Sequence, residues 1–444
     1  MKREHKLITD TMIYGIANFG STTLAFLMLP IYTSYFTTTE YGLWDLILTT
    51  VTLLAPFITF ELISAVYRWL LNAEDEIRRK NIITTGFLTI IRNIIIFSGF
   101  ISIVFIFIPF AYTWESILYL NVIIMTNFIQ QCARGLGHNK LFASLGLIQS
   151  GITIFLNILL MFVFNLRLET FFYSGIIAGI CTIIIAWKSL NFNNYIAIPS
   201  YSKQLKKSLL QYSLPIIPGA ASWWIMTMSD RYFIIHFLGI EYNGVFAIAN
   251  KIPALLLMIN HVFFLAWKDS AILTFEANNR NEYYKKVFKP FFRLMATSVI
   301  MLILLAKPVI AIFISDDFYE AWQYIGVLLC GSLFHTLSLF WSAGFHAAKK
   351  TKIILTSSLI GAILNIVVNA LLIKHLHLYA IAISTIIAFG VVWLIRVIAS
   401  RNIFTIGIDL IDFAVLFPLI LVAMVVSFFA ETLGFIIAIV LRLF

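Results

Sequence analysis

Charge is scarce in this sequence. Of its 444 residues only 12% are Asp, Glu, Lys or Arg, while 61% are apolar. A soluble domain carries about a quarter charged residues, because its surface has to face water. The shortage excludes an ordinary soluble fold of this length, which has no means of hiding so much apolar surface. Cysteine is also sparse. Cys132, Cys181 and Cys330 all fall inside apolar runs and form neither a disulfide framework nor a zinc spacing. His375-x-His377 offers two ligands without a third, so no metal is assigned. Long outer loops are lacking, and so is any carboxylate pair or nucleophile–base set. That argues against an enzyme, including a membrane polymerase or ligase. The first apolar run has no small-residue cleavage site after a short core, so it reads as a span and not as a removable signal.

What the chain does have is long apolar runs. They lie at about 11–34, 43–67, 82–109, 117–136, 141–164, 170–188, 212–238, 244–267, 290–314, 322–345, 353–373, 378–399 and 409–430. A crossing helix needs about 20 such residues. A last stretch, 432–444, covers only about 20 Å as a helix, short of a full crossing. Barrel strands would alternate apolar and polar residues over about ten positions, which these runs do not. The expected fold is an all-α polytopic membrane protein of 13–14 helices.

The net charge of +10 raises the question of nucleic acid, and its placement answers it. With the N-terminus inside, 25 of the 31 Lys and Arg fall on the cytoplasmic side, among them Lys2, Arg3, Lys6, Arg78, Arg79, Lys80, Lys285, Lys286, Lys349 and Lys350. Only Arg167, Lys307 and Lys374 fall outside. Lys and Arg set orientation and acids contribute little, so the basic balance is a topology signal and no nucleic-acid partner is implied. The expected location is a bacterial cytoplasmic membrane. Lys203, Lys206 and Lys207 alternate with Leu205, Leu209 and Leu210, the pattern of an amphipathic helix lying on an anionic leaflet.

The chain also repeats itself weakly at an offset near 200 residues. Phe36-Thr37-Thr38-Thr39-Glu40-Tyr41-Gly42 is echoed by Phe237-Leu238-Gly239-Ile240-Glu241-Tyr242-Asn243-Gly244, and Leu156-Asn157-Ile158 by Leu364-Asn365-Ile366. Tyr173 and Trp187 match Tyr379 and Trp393 at one shared offset. The expected organisation is two pseudo-symmetric six-helix lobes, 1–188 and 212–400, around a central cavity. A cytoplasmic amphipathic connector (189–211) joins them, and 401–444 adds a C-terminal helix hairpin. Parallel repeats around a midplane site are a usual transporter layout.

Over about 1–400 the sequence resembles the polysaccharide repeat-unit (Wzx-type) flippases of the multidrug/oligosaccharidyl-lipid/polysaccharide exporter superfamily. The resemblance rests on Leu29-Pro30-Ile31-Tyr32-Thr33, Glu40-Tyr41-Gly42, Ser64-Ala65-Val66-Tyr67-Arg68, Tyr212-Ser213-Leu214-Pro215-Ile216-Ile217-Pro218-Gly219, Asp230-Arg231, Asn250-Lys251-Ile252-Pro253 and Ala266-Trp267, in that order. It implies a flippase that moves an undecaprenyl-pyrophosphate-linked oligosaccharide from the cytoplasmic to the outer leaflet by alternating access, for O-antigen, capsule or a similar envelope glycan. Its partners would be membrane lipids and other polysaccharide-assembly proteins. The sequence departs from the peptidoglycan-precursor branch, which carries arginines in its first helix, because residues 11–39 hold no charge. An ion-coupled exporter of drugs or small molecules is the alternative.

Charges inside spans cost about 2.5–3.5 kcal/mol each on insertion scales, so each needs a reason. Arg92, Arg231 and Lys251 are the basic ones and Glu61 and Asp230 the acidic ones. The three cations outnumber the two acids, which suggests a cationic surface for a substrate pyrophosphate. The competing reading makes them snorkelling or structural ion pairs, with Asp230 beside Lys251. Arg68, seven residues after Glu61 and so expected on the same face of one helix, is either a further substrate contact or a topology anchor. Asp230 and Glu61 are the candidates for setting charge or coupling H⁺ or Na⁺; no other cofactor is implied. Pro215, Pro218 and Gly219 mark a candidate hinge, or simply a helix start.

Overall fold

The computed structural model describes Gly20 and residues 23–107 and 111–429. Lys2, Arg3, Lys6, the first part of the 11–34 run and the 432–444 stretch lie outside the described residues. Among those described, every regular element is a helix. In chain order these are α1 (Leu29–Tyr35), α2 (Thr38–Thr59), α3 (Leu62–Leu70), α4 (Glu76–Phe107), α5 (Thr113–Gly135), α6 (Asn139–Phe162), α7 (Glu169–Ser189) and α8 (Lys203–Ser213). They continue as α9 (Ile217–Met228), α10 (Asp230–Phe237), α11 (Ile240–Ala249), α12 (Lys251–Leu273), α13 (Arg280–Phe313), α14 (Trp322–Ala347), α15 (Thr351–Leu376), α16 (Leu378–Ser400) and α17 (Leu410–Phe428).

Eleven of these helices, one of them α14 extended back to Asp316, are long and apolar enough to cross a membrane. They account for eleven of the thirteen expected runs. The 212–238 run is the exception within the described residues: it is divided at Ser229 into α9 and α10. There the Ser229 hydroxyl donates to the Ile225 carbonyl at 2.6 Å, a back-bond that competes with the helical ladder. The 43–67 run is likewise not one helix. Phe60 and Glu61 both have positive φ, and the Glu61 N–H reaches back to the Pro56 carbonyl. Arg68 and Glu61 therefore do not share the face of a continuous helix, because Glu61 stands at the break before α3.

The chain forms two compact units, one built on 46–221 and the other on 29–45 together with the residues from Ser222 onward. In the first, α4 turns Ile95, Ile96, Phe100, Ile103, Ile106 and Phe107 outward. Such a wall of exposed apolar side chains suits a hydrocarbon solvent and not water. The segment before α8 is tied to α4: Thr84 Oγ1 donates to the Tyr195 carbonyl at 2.6 Å, and the Ser202 N–H donates to Thr85 Oγ1. Ser202 then caps α8 by accepting from the Leu205 N–H. Along α8, Lys203 and Lys207 are exposed while Leu209 is buried, as its amphipathic pattern requires.

In the second unit, Arg396 on α16 is buried and uses its guanidinium as a clamp. It donates to the Ser338 carbonyl and Ser342 Oγ on α14, and to Ser357 Oγ, Ser358 Oγ and the Ile354 carbonyl on α15. All five donors are engaged by neutral oxygens, which makes this arginine a structural lock across three helices. α17 docks on α13 through Phe413 stacked on Phe292, centroids 4.1 Å apart, and through a bidentate pair from Arg293 to Asp412. Lys289 donates to Asp409 at the start of α17, and that hydrogen bond holds the Asp409 carboxyl below its ordinary range.

The repeated motifs meet in this unit. A Cβ on Gly42 would lie 2.2 Å from the Ile240 carbonyl oxygen, and one on Gly244 would lie 2.1 Å from the Thr38 carbonyl oxygen. Each glycine thus packs against the carbonyl one turn before the other glycine, so α2 and α11 cross in backbone contact. The structural register pairs Gly42 with Gly244, one residue later than the register in which Glu40-Tyr41 matches Glu241-Tyr242.

Candidate functional site

The helix crossing sets the site in the second unit. Because α2 and α11 lie so close, Asn243 reaches across and donates to the Gly42 carbonyl at 2.7 Å. Asp45, one turn along α2, then accepts from Arg231 Nε at 3.1 Å. Both partners are largely buried, with side-chain exposures of 7% for Arg231 and 15% for Asp45. Arg231 also donates to the Thr227 carbonyl at 2.9 Å, a carbonyl just before the Ser229 break, and its guanidinium lies 5.2 Å from the Phe246 ring centroid. Lys251 faces the same space. Its ammonium is 6.0 Å from the Tyr41 ring centroid, with Asp45 and Arg231 as its charged neighbours.

Asp230 points elsewhere. One residue along an α-helix is about 100° around it, which separates Asp230 from Arg231. Asp230 accepts from Asn369 Nδ2 at 2.8 Å, and Asn365 on the same helix donates to Ser384 Oγ. The expected pairing of Asp230 with Lys251 is not formed. The acid is instead held by an amide on α15, and Arg231 takes Asp45. Asp230, Asn365, Asn369 and Ser384 are all buried. Asn369 Oδ1 has no hydrogen-bond partner among the described residues, nor has Asn243 Oδ1. Buried amide oxygens are nearly always satisfied, so these two are open acceptors.

The remaining candidates lie in the first unit. Arg92 donates to Asn93 Oδ1 at 2.9 Å, and Asn93 donates in turn to the Ile58 carbonyl left open by the break before α3. Glu61 at that break accepts from Ser64 Oγ at 2.8 Å. Arg68 donates to Asn72 Oδ1 and lines a 360 Å³ pocket with Trp69, Asn72, Arg78 and Tyr212. Pro215 sits in a short 3₁₀ turn between α8 and α9, and Pro218 and Gly219 lie in the first turn of α9. The chain leaves the first unit just beyond them, between Ala221 and Ser222. Among the described residues no group of three or more His, Cys, Asp or Glu side chains could hold a metal ion.

Sequence reasoning missed Asp45, Asn243, Asn365 and Asn369. Asn365 is part of the repeated Leu-Asn-Ile motif, and a polar residue inside an apolar run at the same place in both halves was the available signal. It missed Arg396 as well, because a late position in its run reads as a cytoplasmic anchor.

With this geometry in place, comparison with known proteins identifies the fold. The MatE family model matches residues 215–371, which hold the Asp230–Asn369 site. No curated protein matches the chain. Among solved structures, the chain is similar to the inward-facing conformation of a multidrug resistance MATE family transporter of the MOP superfamily. The TM-score is 0.72 at 15% identity, over 88% of this chain and 98% of that one. An outward-facing conformation described in the same words gives a TM-score of 0.63 at 14% identity, over 88% and 94%. A MOP superfamily transporter from Pyrococcus furiosus, reported with a binding pocket of reversed polarity suggesting a different function, gives 0.61 at 16% identity, over 89% and 96%. The fold is therefore that of the MATE transporters, a polytopic membrane fold.

Proposed function

We propose that this chain is an ion-coupled secondary transporter and not an enzyme, with Asp230 as the group that carries the coupling H⁺ or Na⁺. The observation that carries this reading is a buried carboxylate whose side-chain donors are the neutral amides of Asn369 and Asn365. The neighbouring Arg231 is neutralised separately by Asp45. A buried carboxylate held by neutral amides, with the neighbouring cation committed to another acid, is costly unless it is used. The orphan oxygen of Asn369 beside it adds a second ligand for a small cation.

The MatE match and the multidrug transporters of the same fold favour a small organic molecule as cargo. Gradient-driven efflux of a fluorescent cation from proteoliposomes tests this. The wild type should respond to an imposed H⁺ or Na⁺ gradient, and Asp230→Asn should lose that response while still inserting and unfolding normally. Full gradient-driven efflux by Asp230→Asn would overturn the assignment.

A second cargo, an undecaprenyl-pyrophosphate-linked oligosaccharide, is favoured by the ordered motif set and by the basic character of Arg68, Arg92 and Lys251. A pocket of altered polarity has been reported for the Pyrococcus furiosus transporter of this fold. On this reading the chain works in the bacterial cytoplasmic membrane, N-terminus inside, with other polysaccharide-assembly proteins, and Pro215, Pro218 and Gly219 serve as the hinge. Complementation of strains that lack a polysaccharide flippase separates the two cargoes.

A further inference from the structure

Arg231 has two acids within its reach. Asp45 accepts from its Nε at 3.1 Å. Asp230 is its neighbour in the chain, and of the described charged side chains it is Arg231 that acts on the Asp230 carboxyl. The other groups facing Asp230 are neutral: Asn365 and Asn369 on α15, with Ser384 on α16 behind them. Asp230 and Arg231 follow directly on the break at Ser229, and Arg231 also donates to the Thr227 carbonyl before it. A change in the angle between α9 and α10 therefore moves the arginine relative to both acids.

Asp45 ties down more than a side chain. Residues 29–45 belong to the second unit, whereas α2 continues in the first from Leu46. Several ties of 29–45 to the second unit are neutral. Ser315 Oγ donates to the Thr33 carbonyl at 2.6 Å, Asn243 donates to the Gly42 carbonyl at 2.7 Å, and Tyr41 meets Phe318 edge to face. None of these changes its charge when a small cation binds nearby. The Asp45–Arg231 pair is different. Parting it strands a buried guanidinium, which is costly unless a second acid takes over. Asp230 is that second acid only while it is ionised and carries no cation. Lys251, the other cation near Asp45, is less buried than Arg231, so the stranded charge that decides the balance is the arginine's.

We propose that Arg231 is an interlock between the cation site and the helix crossing: its bond to Asp45 parts only when Asp230 is ionised and empty, because only then does the arginine keep a buried counter-charge. A cation on Asp230 holds residues 29–45 against α10 and α11; its departure lets them leave. Tight coupling requires such a rule, since a ligand shifts a conformational equilibrium only by its differential effect on the two states. This role rests on the reading of Asp230 as the coupling group, and the test is arranged to tell the two apart.

Thr39 and Tyr242 are exposed positions in the first turns of α2 and α11, suited to a pair of nitroxide labels on introduced cysteines. The full-length chain carries Thr39→Cys and Tyr242→Cys, with Cys132, Cys181 and Cys330 changed to Ala and transport retained. Distances are measured by pulsed electron resonance in nanodiscs, with saturating Na⁺, after acidification, and with neither. In the otherwise unaltered chain, withdrawing the cation should raise the long-distance population at least about fivefold, the low end of ordinary coupling. Asp230→Asn should stay at the short distance under every condition. Asp45→Asn should show the long distance whether or not the cation is present. An Asp45→Arg, Arg231→Asp double variant keeps an ion pair but leaves no cation beside Asp230, so it should unfold like the parent chain and lose the cation response. A purely structural pair would be restored by that exchange, response included. A cation response that survives in Asp45→Asn or in the exchanged variant overturns the interlock. So does an unresponsive parent chain whose gradient-driven efflux is lost in Asp230→Asn, and in that case the coupling reading stands. Efflux that persists in Asp230→Asn overturns both.

Discussion

At the scale of single residues the chain separates two charges that sit side by side in sequence. Arg231 is neutralised by Asp45, while its neighbour Asp230 is held by Asn369. Removing one member of a buried pair leaves a lone charge and costs about 3–5 kcal/mol, whereas removing both can be nearly neutral. Arg231→Ala and Asp45→Ala should therefore each lower the unfolding temperature in detergent markedly, and the double variant should lose less than the sum. Additive losses would mean that the two groups do not interact. Asp230 and Arg231 were legible in the sequence, since ionised groups within an apolar run are conspicuous. Asp45 was not, because it falls near the start of its run, close to Glu40, and reads as part of a polar turn. Asn365 and Asn369 carry no charge and left no signal beyond their polarity. The arithmetic of three cations against two acids had omitted Asp45, and that acid removes part of the surplus.

At the scale of elements, run length foretold the helices well and their interruptions poorly. Apolar runs show where a helix can cross, since length and hydropathy decide that. The breaks at Phe60–Glu61 and Ser229 come from backbone hydrogen bonds and side-chain back-bonding, which a hydropathy pattern does not record. The echo between Phe36–Gly42 and Phe237–Gly244 was legible as repetition; its meaning as a point of contact was not. That contact makes a sharp prediction. Gly42→Ala and Gly244→Ala each place a methyl group against a carbonyl oxygen of the other helix, which backbone movement alone can relieve. Overpacking of this kind costs about 1–3 kcal/mol. Gly99 and Gly151 are helical and have nothing within 4 Å of an added Cβ, so alanine there should be neutral or stabilising. Unfolding temperatures of the four variants check the contrast, and equal effects at all four would refute the crossing.

For the whole molecule, composition alone was enough to specify a polytopic helical membrane protein. The reason is general: lipid admits helices because they satisfy their own backbone groups. The expected orientation rests on where Lys and Arg fall, which puts both the connector and the segment before α13 on the basic side. Reporter fusions at residues 200 and 280 should both report the cytoplasm, and an outside signal from either would break the assignment. Cargo lies beyond what composition encodes, since it depends on a few side chains placed by tertiary contacts.

The glycine crossing has a consequence for symmetry. Exchanging the two glycines leaves their mutual contact unchanged, because each meets the carbonyl one turn before the other. That is the defining property of an isologous interface, in which one surface recognises itself. At these two positions the contact has the local form of a two-fold interface within one chain.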